Sequence, residues 1–303
     1  MKIKSLIGCI GVGLMAMSLT GCQLEEDDSG SDNGSNDGSG SLTGRMNLRI
    51  TDAPIDSADK VVVVFTGVTV QAEDGQRVEY EYEEPREIDL LSLQGQTTES
   101  LLEEVELEAG DYEWIRLHVA AETGVTDSYI EVDGAQHDLR IPSGAQTGLK
   151  LVNGFTIEED QTSNYTIDFD LRQSIVHNPQ GYKLKPTLRL VADDDTGTVD
   201  GSVDGGLITA ECSGAIYVYA GVDITPGDLG GEEVQPLTTK LVDTDATGVT
   251  EFEYELAFMA AGEYTLAFTC EADLDDPEAD DTLEWLATHS VTVTAGGSAT
   301  VDF

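Results

Sequence analysis

Apolar and polar residues alternate along most of this chain, with the period of a half-buried strand. In residues 111–121, Ile115, Leu117 and Val119 fall on one face, and Tyr112, Trp114, Arg116 and His118 on the other. In 165–171, Ile167, Phe169 and Leu171 lie opposite Thr166, Asp168 and Asp170. Residues 60–71 open with Val61-Val62-Val63-Val64-Phe65, a β-branched run that predicts a buried strand. Residues 182–191 continue in the same style. Ala72-Glu73-Asp74-Gly75, Glu108-Ala109-Gly110, Val132-Asp133-Gly134 and Asn178-Pro179-Gln180-Gly181 mark the turns between such runs. Further strands are expected at 197–203, 215–220, 251–258, 262–270, 290–293 and 299–303. One segment, 98–104, predicts a short helix. So many short strands predict an all-β chain of antiparallel β-sandwiches.

The pattern differs at the amino terminus. Lys2 and Lys4 precede an apolar run over 6–19 that ends in Leu19-Thr20-Gly21-Cys22. The run is too short to span a bilayer comfortably, and it has the form of a processing signal. A small residue before Cys at the end of such a run resembles a bacterial lipobox. The resemblance implies cleavage before Cys22, a diacylglyceryl thioether on its sulfur, and an acyl chain on the new amino terminus. Several acyl chains on one residue give stable anchoring. The alternative is a secretory signal with an accidental Cys. Gln23, where Asp would imply the inner membrane, points by analogy with enteric bacteria to the outer membrane. Residues 25–41 contain only Glu, Asp, Ser, Gly and Asn, a flexible tether; an acidic calcium-binding tract is the rival reading.

Composition narrows the picture. The chain has 303 residues, with 59 acids against 15 bases and a formal net charge of −44. Such a charge repels phosphate backbones and excludes nucleic acid as a main partner. A hydrophobic share of 40% is enough for real cores. No long apolar run follows the amino-terminal one, which excludes a multi-span helical membrane protein. Residues 192–196 are the best internal boundary, because beyond them 22 acids face one base, Lys240. The expected organisation is a signal peptide at 1–21, a lipidated Cys and tether at 22–42, a sandwich at 43–192, a linker at 193–197 and a second sandwich at 198–303. With Cys9 removed and Cys22 lipidated, Cys212 and Cys270 remain. In an exported chain they predict one disulfide. A metal pair is the rival, but no His stands at ligand spacing to either. The run Ala109-Gly110-Asp111-Tyr112-Glu113-Trp114 is echoed by Ala261-Gly262-Glu263-Tyr264-Thr265-Leu266, which points to related sandwich construction.

Several runs of the first half, in order, resemble the bacterial family called domain of unknown function 4382. They are Leu48-Arg49-Ile50-Thr51-Asp52-Ala53-Pro54-Ile55-Asp56, Ile88-Asp89-Leu90-Leu91-Ser92-Leu93, Ala109-Gly110-Asp111-Tyr112 with Ile115-Arg116-Leu117, and Pro142-Ser143-Gly144-Ala145-Gln146-Thr147-Gly148-Leu149-Lys150-Leu151. Asp168-Phe169-Asp170-Leu171-Arg172 and Lys185-Pro186-Thr187-Leu188-Arg189 complete the set. The resemblance implies a lipobox-bearing envelope protein with no assigned activity. In the second half, Gly197-Thr198-Val199-Asp200-Gly201-Ser202-Val203 and the later Ala261–Leu266 run resemble prealbumin-type sandwiches, such as carboxypeptidase regulatory-like and starch-binding-like domains. That resemblance implies a seven-stranded accessory module with a carbohydrate-binding-like fold.

Catalytic signals are sparse. His118, His137, His177 and His289 show no metal-ligand spacing, no Gly-x-Ser-x-Gly run occurs, and acid pairs are too common to single one out. No catalytic residue is assigned; a hydrolase using paired carboxylates is kept as an alternative. Calcium is the better chemical candidate. Asp273, Asp275, Asp276, Glu278, Asp280 and Asp281 put six carboxylates in nine residues, without the loop of an EF-hand. A solvated acidic loop between strands is the plainer reading of the same residues. Asp193-Asp194-Asp195 is a second acidic run, read chiefly as linker. Asp52 and Asp56 are expected to cap turns. The scarce bases Arg116, Lys150, Arg172 and Arg189 are expected to pair with acids such as Asp168 or Asp170. The sharper reading makes Tyr112, Trp114 and Arg116 a ligand platform for sugars or anionic groups, bordered by the loop at 142–147. The functional expectation is a non-catalytic, lipid-anchored envelope protein that binds a glycan or protein outside the cytoplasm. The alternatives are a carbohydrate-binding module stacking on Trp114 or Trp285, and a calcium-stabilised structural or adhesion spacer. The large charge, −46 once Lys2 and Lys4 leave with the signal, points to salty surroundings.

Overall fold

The alternating segments fold as strands. A computed structural model describes residues 2–5, 42–53, 58–121, 126–142, 144–209, 211–231, 234–244 and 248–303. The first strands are β1 (Lys2–Ser5), β2 (Thr43–Ala53), β3 (Lys60–Ala72), β4 (Arg77–Asp89), β5 (Glu99–Glu108), β6 (Gly110–Val119) and β7 (Tyr129–Val132). Next come β8 (Ala135–Arg140), β9 (Leu149–Leu151), β10 (Phe155–Ile157), β11 (Thr162–Asp170), β12 (Ile175–Asn178), β13 (Gly181–Leu184) and β14 (Leu188–Ala192). The last are β15 (Thr196–Asp204), β16 (Gly214–Ala220), β17 (Thr238–Val242), β18 (Glu251–Ala260), β19 (Gly262–Thr269), β20 (Trp285–Val293) and β21 (Ser298–Thr300).

Strands β1 to β14 form two sheets around one core. The larger runs β1-β4-β3-β7-β8-β13-β12, with β6 also on β3 and carrying β9 and β10; the smaller runs β14-β11-β2-β5. Their inner faces meet through Met46, Leu48 and Ile50 of β2, Val61, Val63 and Phe65 of β3, Ile115 and Leu117 of β6, and Ile167 and Phe169 of β11. Those of β6 and β11 are the alternate positions the sequence marks as apolar, whereas β2 is not among the expected strands. The remaining strands form sheets of order β18-β15-β21 and β17-β16-β19-β20. Val199, Val203, Ile216, Val218, Leu266 and Phe268 fill the space between them. Tyr217 and Tyr219 point the other way from β16, into a second buried layer with Leu229, Ala267 and the half-buried Trp285. These seven strands match the number implied by the prealbumin-type resemblance.

Three details depart from the alternation. Where a helix is expected at 98–104, residues 99–104 form the start of β5. Two register shifts between β2 and β5, with Glu104 at φ 45°, break the strand period so that Leu101, Leu102, Val105 and Leu107 are buried. An inserted residue in a strand mimics helical spacing. Residues 182–191 divide into β13 and β14 around Pro186, which has no N–H to donate. Most pairings are antiparallel, but β2 with β11, β8 with β13 and β15 with β21 are parallel.

The expected linker is tied down at its start. Asp193–Asp195 is a 3-10 turn, and Asp193 accepts hydrogen bonds from Arg49 and, at 2.7 Å, from Thr166 Oγ1. The two sandwiches also touch directly. Arg172, 7% exposed, donates from Nη2 to the Ala272 carbonyl and lies over the Tyr217 ring at 5.2 Å. Lys185 pairs with Glu278, and Gln96 Nε2 donates to Glu255 Oε1 at 2.7 Å. Cys212 and Cys270 are joined as a disulfide. Within the expected signal, β1 pairs antiparallel with β4, from Lys2 opposite Glu81 to Ser5 opposite Val78. Cys22 and the tether lie outside the described residues, as does Asp56. Among the described residues, no helix is long and apolar enough to cross a membrane.

Candidate functional site

The outer face of the larger sheet is laid out by β4, β3, β6 and β9. Gln71 of β3 lies opposite Trp114 of β6 on one side and Arg77 of β4 on the other. One step along, Thr69 lies opposite Arg116 and Glu79, and Arg116 in turn lies opposite Lys150 of β9. Between these strands the register skips Glu113, since Gln71 pairs with Trp114 while Ala72 pairs with Tyr112. The inserted residue turns Tyr112 inward. It is 3% exposed, stacks on Phe155 at 4.9 Å, and donates its hydroxyl to the Glu108 carbonyl at 3.0 Å. Tyr112 is therefore part of the core and not of the expected platform; the bulge shifts its phase.

Trp114 and Arg116 stay on the outer face, and two further bases join them. The charged groups of Lys150, Arg116 and Arg77 lie 4.6, 4.9 and 5.3 Å from the centroid of the Trp114 ring. Their aliphatic stems leave Trp114 only 4% exposed. Among the described residues none of these three bases forms an ion pair, and Arg116 Nε has no hydrogen-bond partner. Nearby acids are engaged elsewhere. Glu113 accepts from Gln71 Nε2 at 2.7 Å, and Glu79 lies 3.7 Å from His118 Nε2. His118 also shares a hydrogen bond of 2.6 Å with Thr69 Oγ1. Burial lowers its pKa against the opposing pull of Glu79, and Arg116 adds to the lowering. Of the bases singled out in the sequence, Arg189 pairs with Asp168 at 2.7 Å, as cross-strand neighbours. Arg116 and Lys150 do not take such partners.

The acidic run divides. Asp273, Asp276, Glu278 and Asp280 are exposed, whereas Asp275 and Asp281 turn inward to meet Asp228. Carboxylate oxygens of Asp228, Asp275 and Asp281 all lie within 4.8 Å of one another. Asp275 accepts from the Tyr217 hydroxyl and from Leu229 N at 3.1 Å. Asp228 accepts from Asp281 N at 2.6 Å, and Asp281 accepts from Asp276 N at 2.8 Å. Burial raises the Asp275 pKa, and the Tyr217 hydrogen bond opposes it. The sequence reading missed Asp228. It is a single acid in a Gly-rich loop far from the run, and only its position between two glycines hinted at a constrained turn.

At the contact between the sandwiches sits a third group. Asp52 does not cap a turn; it is 5% exposed, and neither carboxylate oxygen has a hydrogen-bond partner. It lines a cavity of about 30 Å³ with Thr51, Asp168, Arg189, Thr239 and Lys240. Burial, then the charges of Asp168 and Asp170, hold its pKa well above the usual carboxylate range. Lys240 is lowered by burial, against the attraction of Glu255 and Asp52. Asp170 caps the turn Leu171–Ser174, accepting from Gln173 N at 3.0 Å, and burial pushes its pKa up to about 6.

Residues 43–186 match the family described as Domain of unknown function (DUF4382). No curated protein matches the chain. Among solved structures, the Bacillus anthracis TIE protein is 11% identical over 86% of this chain and 34% of its own, with a TM-score of 0.20. A leucine-rich repeat protein from Bacteroides thetaiotaomicron is 14% identical over 87% of this chain and 26% of its own, with a TM-score of 0.22. The minor pilin GBS52 of Streptococcus agalactiae is 11% identical over 85% of this chain and 94% of its own, with a TM-score of 0.20. The chain thus spans about a third and a quarter of the length of the first two.

Proposed function

We propose that the protein is a non-catalytic, lipid-anchored component of a bacterial cell envelope whose N-terminal sandwich offers its outer sheet face for binding outside the cytoplasm. The Trp114 face carries this reading. Three bases converge there in a chain of net charge −44, and among the described residues none of the three forms an ion pair. Scarce charge gathered at an exposed face is what a binding surface needs and what a purely structural sheet does not. The anchor rests on the lipobox-like run ending at Cys22, and the outer-membrane location on Gln23. Metabolic labelling with a palmitate analogue tests it in the full chain. The wild type takes the label and fractionates with the outer membrane, and Cys22→Ala loses both properties. Unlabelled wild-type protein in the soluble fraction overturns the reading.

A calcium-stabilised spacer is the second reading, favoured by the convergence of Asp228, Asp275 and Asp281. Three carboxylates offer the oxygen ligands that Ca²⁺ takes. Millimolar calcium then raises the melting temperature by several degrees, a chelator reverses the rise, and Asp281→Asn abolishes it. A melting temperature indifferent to calcium and chelator disposes of this reading.

A further inference from the structure

The Trp114 face is built against its own electrostatics. Arg116 and Lys150 stand directly opposite each other on β6 and β9. Like charges in that relation destabilise a sheet. The chain carries 59 acids and 15 bases, so an acid at one of these positions would have been the ordinary composition. Instead Arg77 adds a third positive group from β4, across the intervening β3. The indole ring beneath them offsets part of the repulsion through its negative face. Because that ring is covered, no sugar stacks on it; a ligand meets the cationic groups themselves.

We infer that Arg77, Arg116 and Lys150 over Trp114 form a binding site for an acidic polysaccharide, a glycan carrying carboxylate or sulfate groups. Guanidinium groups present a planar fork that matches either anion. Arg77 and Lys150 are exposed on an open sheet, so the anion arrives as a side group of a large ligand. Charge density selects among large anions. Nucleic acid and anionic bilayers carry closely packed charge, and the whole-molecule field opposes them. A glycan with spaced anionic groups meets that field only weakly, since charges beyond about 8 Å are screened at physiological salt. Contact with the three bases then dominates.

This inference rests on the reading of the protein as a binding module outside the cytoplasm, and its test is separate from that of the anchor. Full-length protein in detergent is titrated with oligogalacturonate and with its fully methyl-esterified form, in 0.15 M NaCl with a chelator present. The acid form binds and the ester does not. Arg116→Gln with Lys150→Gln weakens binding at least tenfold, and Arg77→Gln weakens it severalfold. The double variant melts at the same temperature as wild type or higher, because a like-charge pair has been removed; a merely structural cluster melts lower. Hyaluronan, with one carboxylate per disaccharide, competes and neutral dextran does not. Equal binding of acid and ester, binding that survives the double variant, or failure of both oligogalacturonate and hyaluronan to bind overturns the inference. Binding to phosphatidylglycerol vesicles in place of the glycans also overturns it, in favour of a lipid surface. A protein that is anchored yet fails here loses only its ligand; one that binds here without a lipid on Cys22 loses only its anchor.

Discussion

At the scale of single residues, burial decides what a charge does. Asp168 and Asp52 come from neighbouring, register-matched strands, β11 and β2, but only Asp168 has a guanidinium partner. Asp52 is left at the junction with raised affinity for its proton. Its folded pKa lies above the unfolded value near 3.9, so the folded chain holds the extra proton as pH rises through that window. Stability falls from the unfolded pKa upward and the loss is complete above the folded pKa. Below pH 4 the charge is absent in both states and costs nothing. Asp52→Asn, which removes the charge and keeps the shape, is therefore expected to stabilise by about 1–3 kcal/mol at pH 8, the added penalty of a buried group that is charged. The gain disappears near pH 4, and urea midpoints at the two pH values check it. The Asp168–Arg189 pair was legible from alternation, because strand period alone puts both on one face. Asp52 was not, since its surroundings come from another sandwich more than 180 residues away at Lys240 and Glu255.

At the scale of elements, local period gave most strands and non-local pairing gave the surprises. The parallel partners β2 and β11 are separated by residues 54–161, and nothing in either sequence names the other. Bulges hid two features for one reason: an inserted residue reverses which face follows. Near Glu104 it made β5 look helical, and at Glu113 it sent Tyr112 into the core while leaving Trp114 outside. The union of Cys212 and Cys270 was legible by elimination, with both ends beside strands. It ties the start of β16 to the end of β19 across a sequence separation of 58 residues. Closing a loop of that length stabilises by about 4 kcal/mol in the chain-entropy account. Replacing both cysteines by Ala is expected to cost about that much, seen as a lower urea midpoint for residues of the C-terminal sandwich.

At the scale of the molecule, charge and connection matter most. With 59 acids and 15 bases, folding concentrates repulsion that salt relieves. The melting temperature is expected to climb by several degrees between 0.05 and 1 M NaCl, while a neutral osmolyte at matched osmolarity gives a smaller rise; a flat salt profile counts against salty surroundings. Arg172 binds the two sandwiches together, yet the proposed anchor and the Trp114 face both belong to the first of them. A pull between a surface ligand and a tether at Cys22 would enter at Thr43, the first residue of β2. That strand runs between β5 and β11, and nine residues of it pair in register with β11. Tension along β2 would load those hydrogen bonds side by side instead of unzipping them one at a time. The C-terminal sandwich, with its disulfide, would hang outside the line of force.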